Sequence, residues 1–151
     1  LSIEEKCETF DDEIILVENI KKIFLLLLGK AFEKYGSEIE KNQQVLLSLS
    51  DLAIEAYLSE STLKRTIKNI KRSSVDDQFD QINMTKLYIY EACQIVLKKS
   101  NDVVNSIIDL KSQDKVHSSI AGKLKYSENP NIFELKTKIA EKIISENRYC
   151  F

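Results

Sequence analysis

Glycine and proline are nearly absent: three glycines and one proline in 151 residues. Strand-rich domains need frequent turn residues, so their scarcity favours a few long helices joined by short connections. The three glycines, Gly29, Gly36 and Gly122, stand apart. Neither a GxGxxG nor a Walker loop is present, so no backbone cradle for nucleotide phosphates can be drawn from this chain. Tryptophan is missing and His117 is the one histidine. A di-iron bundle would need paired Glu-x-x-His motifs, and there are none. Cys7, Cys93 and Cys150 are odd in number, widely spaced and without a CxxC. That pattern argues against a disulfide framework or a zinc site and fits a reducing cytoplasm. No signal peptide is visible, and the longest strongly apolar run, IFLLLL at 23–28, is too short to span a bilayer. Net charge is −2, which leaves no footprint for nucleic acid.

What is present is a soluble composition, 43% hydrophobic and 30% charged, long enough for one core. The chain begins with Leu on an acidic stretch, LSIEEKCETFDDE. This reads as a piece cut from something longer or as a processed N-terminus, with residues 1–12 an acidic linker. Residues 13–151 read as an all-α, up-and-down bundle of four to five helices with two long central ones.

The first helix is expected over about 12–35, with Asp11 or Asp12 as N-cap and Gly36 as its stop. Val17, Ile20, Phe24, Leu27, Leu28, Ala31 and Tyr35 recur at steps of three and four and make one broad apolar face. The second helix is expected from Ser37, where S-E-I-E spells a capping box, to Lys71 and Arg72. The third starts at Ser74, with Phe79, Ile82, Tyr90, Cys93, Val96 and Leu97 as its stripe. It either continues through Val103, Val104, Ile107 and Ile108 or breaks at 100–102. A fourth covers about 113–125. Asn131, with Glu134 three residues on, caps a fifth that ends near Glu146.

The second helix carries two apolar stripes. At 100° per residue Val45, Leu49, Leu52, Ala56, Leu63, Ile67 and Ile70 share one face, as bundle packing requires. Leu46, Leu47, Ile54, Tyr57 and Leu58 form a patch on another side, leaving Ser48, Asp51, Glu55 and Thr62 as a narrow polar wedge. The patch needs cover: from the first helix, from another copy of the chain, or from a domain outside it. Together with Phe24 and Leu27, these five are the candidate packing or interface residues.

Catalytic candidates are weak. His117 sits in a polar helix and reads as solvent-exposed. Glu60 lies at the edge of the main stripe, where a carboxylate more often pairs with Lys or Arg than acts as a base. Lys64, Arg65, Lys68, Lys71 and Arg72 read as a solvated helix end, where cations suit the dipole. No catalytic, cofactor or metal residue is assigned.

The stretch NQQVLLSLSDLAIEAYLSESTLKR resembles a segment of the acyl-CoA dehydrogenase family, very-long-chain type. The shared residues are Gln44, Leu46, Leu47, Leu49, Asp51, Ala53, Ile54, Tyr57, Glu60, Ser61 and Arg65. IAEKIISENRYCF resembles the closing helix and aromatic tail of bacterial members. The resemblance implies a helical domain that follows a flavin-binding core, with FAD and the acyl-CoA contacts in that core and none here. It implies docking on the core or on a partner subunit, with a homodimer as one outcome. In membrane-bound relatives the domain contributes to membrane attachment. A peripheral membrane module and a stand-alone helical scaffold are the alternatives.

Overall fold

The computed structural model describes residues 8–72 and 78–146. Cys7, Cys150, the RYCF tail and the expected start of the third helix at Ser74 lie outside these. Five α-helices carry the fold: α1 (Asp11–Tyr35), α2 (Gln43–Ile70), α3 (Phe79–Ile107), α4 (Leu110–Lys123) and α5 (Ile132–Glu146). Among the described residues there is no strand.

Three long helices make the centre, rather than two. α2 runs against both α1 and α3, as two contacts near its C-terminal end show. Lys21 of α1 meets Glu60 at 3.2 Å, and the hydroxyls of Thr66 and Thr85 meet at 2.8 Å. At the far end Lys34 of α1 donates to the Ser106 carbonyl of α3 at 2.7 Å, so α1 and α3 run parallel. The buried residues mostly fall where the periodicity puts them: Val17, Ile20 and Leu27 on α1, Leu49, Leu52 and Leu63 on α2, Cys93, Val96 and Val103 on α3; Ile89, outside the expected stripe, is also fully buried, whereas Phe79, counted in it at the start of the helix, is 49% exposed. Each such aliphatic side chain, once buried, contributes about 1.5–3 kcal/mol over its exposed state.

α1 stops as expected, at Gly36, whose φ of 52° is reached without strain only by a residue lacking Cβ. Its start differs. Phe10, in the stretch expected to be a tether, is fully buried at the end of a 3-10 turn, Glu8–Phe10. The helix therefore begins at Asp11, and neither Asp11 nor Asp12 caps it. Asp12 instead accepts the backbone N–H of Ser127 at 3.0 Å and its hydroxyl at 2.7 Å, which pins the chain after α4 to the start of α1.

The capping box at Ser37 does not form. Gly36–Lys41 is a 3-10 helix that turns Ile39 into the core, and α2 begins only after Asn42. Burial of Ile39 competes with the cap and prevails. α3 passes through 100–102 unbroken, with Ser100 fully buried, and ends where Ile108 turns extended. At α5 the cap does form: Asn131 Oδ1 accepts the Glu134 N–H at 3.3 Å, and Nδ2 donates to Glu134 Oε2 at 3.4 Å, a side-chain pair in place of the box's return bond to the backbone.

His117 is half-buried, not solvent-exposed. Its two ring nitrogens lie 2.6 Å from Asn101 Oδ1 and 2.9 Å from Asn105 Oδ1, and so hold α4 to α3. α5 rests on α3 through a Lys136–Glu91 pair at 2.7 Å and through Lys138 over the Phe79 ring, and none of its residues is fully buried.

Candidate docking surface

The polar wedge of α2 lies along its seam with α3, half exposed rather than fully open to water. Asp51 pairs with Lys99 of α3 at 2.6 Å, and Glu55 accepts the Tyr88 hydroxyl at 3.1 Å. With its polar edge turned to α3 and its main stripe to the core, α2 presents the second apolar patch outward. Leu47 is 66% exposed and Tyr57 70%, with Ile54 and Leu58 also exposed and Leu46 partly buried. α1 does not cover them.

α1 extends the surface instead. The Lys21–Glu60 contact fixes the antiparallel register of the two helices. Stepping away from it by three and four residues brings Leu25, Leu28 and Phe32 of α1 to the same side of the seam as Tyr57, Ala53 and Leu46 of α2. Leu25 and Phe32 are both more than half exposed. The result is a two-helix apolar face, of the kind that soluble proteins reserve for contact. Of the other candidates, Phe24 is partly buried against the core, and Leu27, 1% exposed, has no surface to offer a partner. Leu25 and Phe32 were missed because the sequence reading assigned α1 a single face. Counting 100° steps from Lys22 would have placed both on its outer side.

One end of the face is closed by charge. Glu60 takes hydrogen bonds from Lys21 at 3.2 Å and Lys64 at 2.7 Å, and Lys21 also pairs with Glu18. Burial alone would raise the Glu60 carboxyl, but hydrogen bonds from Lys64 and Lys21 outweigh it and hold the group below the usual carboxylate range. Burial would likewise lower Lys21, and Glu18 and Glu60 together push it up. Both groups are kept ionised, which suits a bracket between helices and not a proton-transferring base. Beyond the bracket α2 turns basic, with Arg65 and Lys68 exposed.

Elsewhere the titratable groups are structural. Burial pushes the Cys93 thiol up to about 12, with the Glu13 charge adding to it, so a thiolate is not available at neutral pH. Among the described residues no group of three His, Cys, Asp or Glu side chains is placed to hold a metal. Nor do the glycines fit a flavin. Gly29 and Gly122 lie inside helices and Gly36 at a C-cap, so none forms the glycine-rich turn that brings backbone amides to a pyrophosphate. No described helix is long and apolar enough to cross a membrane.

Comparison with known proteins agrees with this architecture. The family described as "Acyl-CoA dehydrogenase, C-terminal domain" matches residues 19–121. A "Probable acyl-CoA dehydrogenase" of Bacillus subtilis (strain 168) is 25% identical over 141 residues, which cover 92% of this chain and 23% of the relative. The crystal structure of an acyl-CoA dehydrogenase complexed with FAD from Bacillus anthracis superposes with a TM-score of 0.91 at 26% identity, over 100% of this chain and 26% of that one. The chain thus spans about a quarter of the length of these relatives.

Proposed function

Since the chain belongs to the family of acyl-CoA dehydrogenase C-terminal domains, we propose that it is the non-catalytic, docking part of a longer FAD-dependent enzyme. In that enzyme the upstream core would hold FAD and oxidise a fatty acyl-CoA to the 2-enoyl-CoA. The very-long-chain likeness of the α2 motif belongs to this proposal, as does a cytoplasmic setting, which the unpaired, buried Cys93 fits. The docking partner is the core, which makes up the remaining three quarters or so of the relatives' length.

The observation that carries the reading is the exposed α1/α2 face. A helix pair that buries one apolar side and leaves a second in water is incomplete by itself. Burying Tyr57, Leu47, Ile54, Leu25 and Phe32 against the core would supply the missing contact, at about 1.5–3 kcal/mol for each side chain fully covered.

Carbene footprinting tests this. Labelling at Tyr57 and Phe32 is compared between the 151-residue chain and the full-length enzyme that contains it. Docking predicts strong labelling in the first and protection in the second, while exposed Leu110 labels in both. Equal labelling of Tyr57 in the two would refute it. Sedimentation of the chain alone separates the remaining outcome: a dimer persisting to low micromolar concentration would assign the face to a second copy instead.

A further inference from the structure

On the other flank of α1, α4 leaves an open groove of about 380 Å³. Its floor is apolar, made by Ile23 and Leu26 of α1 and by Val116 and Ile120 of α4. Three lysines stand around that floor: Lys22, Lys115 and Lys123. None of the three is ion-paired, whereas Lys21, Lys30, Lys41, Lys64, Lys99 and Lys136 all have a carboxylate within 4.0 Å. The nearest acidic candidate on α1, Glu18, is already taken by Lys21. Among the described residues Lys34, Lys68, Lys86, Lys98, Lys111 and Lys125 also lack a carboxylate within 4.0 Å, but Lys22, Lys115 and Lys123 are the three that gather around one apolar slot.

Each half of that arrangement is unfavourable alone. The floor exposes apolar surface to water, and three like charges around one slot repel. A ligand with an apolar tail and an anionic head relieves both at once. The size agrees: the volume is in the range of small-molecule sites, and Lys115 to Lys123 spans two turns of α4, roughly 12 Å at 1.5 Å per residue. That length suits an extended alkyl chain and is too short for an amphipathic helix of ordinary length.

We propose that the α1/α4 groove binds a soluble single-chain amphiphile with an anionic head, the tail lying on Leu26 and Val116 with Ile23 and Ile120 beneath them, and the head among the three lysines. The groove and the docking face lie on different flanks of α1, so the two readings are tested separately.

Dodecanoate, kept below its micellar concentration, is the probe. Titrated calorimetrically into the chain, it is expected to fill one saturable site. The triple variant Lys22→Gln, Lys115→Gln, Lys123→Gln is expected to bind about tenfold or more weakly, and added salt to weaken the native chain in the same direction. Butyrate, which has the head without the tail, and dodecyl maltoside, which has the tail without the charge, should each bind at least tenfold more weakly. Leu26→Gln tests the floor at a half-exposed position that does not endanger the fold. Methyl NMR locates the site, with shifts expected at Ile23 and Ile120. Absence of saturable binding, equal binding by the triple variant, equal binding of either control ligand, or shifts confined to Ile54 on the docking face would each overturn the proposal.

Discussion

Leu52 and Leu47 lie five residues apart on α2, have the same side chain, and sit in opposite environments: 0% exposed and 66% exposed. Truncation of each to alanine should separate folding from docking. At Leu52 the change removes transfer energy and leaves a cavity between α1, α2 and α3, which costs about 2–5 kcal/mol. At Leu47 about a third of the side chain is covered, so about a third of a full burial energy is at stake, roughly 0.5–1 kcal/mol. The near-equal helix propensities of Leu and Ala add little to either. In urea, with a slope of about 2 kcal/mol/M for a domain of this size, Leu52→Ala should lower the midpoint by about 1–2.5 M. Leu47→Ala should lower it by no more than about half a molar unit. In the full-length enzyme the order reverses: Leu47→Ala should restore labelling at Tyr57, while Leu52→Ala should leave docking unchanged for the folded fraction. Equal midpoint shifts would mean that the outward placement of the second stripe is wrong.

The carboxylates give opposite pH signatures. Glu60 is held below its ordinary value near 4.5 by Lys64 and Lys21 despite its burial, so the unfolded chain binds its proton more tightly. Its contribution is full above that value and is lost as the pH falls through the folded one. Glu60→Gln should flatten the acid limb of a stability-versus-pH curve, and an unchanged limb would count against the bracket. Glu13 is raised by burial, against the lowering by its own backbone hydrogen bond and by Lys86. Its contribution is full below about 4.5, the unfolded value, and is lost as the pH rises through the folded one. Glu13→Gln should therefore be more stable than the native chain at pH 7, with the gain vanishing in acid; a less stable variant at pH 7 would show that the ionised form has a favourable role. Cys93, with its thiol pushed up to about 12, should resist alkylation in the folded chain and react at the unfolding rate, followed at that residue by mass spectrometry. Fast labelling without unfolding would contradict its burial.

The helices and most of the core were legible because they rest on composition and period. Few turn residues and a step of three and four at Val45, Leu49, Leu52, Ala56 and Leu63 leave little else to build than a bundle. Helix starts were less legible, since a capping motif competes with whatever else its residues can reach. At Asn131 the cap on Glu134 N–H forms, although the Glu134 carboxylate is shared with Lys138. Ser37 begins an equally good box, but Ile39 inside it is worth more in the core, and Asp12 is drawn to Ser127, 115 residues away. No local pattern carries either fact.

The same limit applies to the docking face. The sequence shows that α2 is apolar on two sides and polar on a third, and intuition gives the polar side to water. The structure sets it along the seam with α3, half exposed, where Lys99 and Tyr88 give Asp51 and Glu55 protein partners. With Leu49, Leu52 and Leu63 buried on the opposite side, the stripe of Leu47, Ile54 and Tyr57 has only one direction left. Exposure of that stripe thus follows from burial of the other, a choice between two apolar faces that periodicity does not encode. It also explains why the α2 motif pairs its two kinds of residue. Asp51 and Glu60 anchor α2 to α3 and α1, and that anchorage aims Ile54 and Tyr57 away from both. Rotating α2 to cover that stripe would bring Leu49, Leu52 and Leu63 into water at about 1.5–3 kcal/mol each, far more than the half-exposed Asp51–Lys99 pair supplies, so the face stays open until a partner covers it.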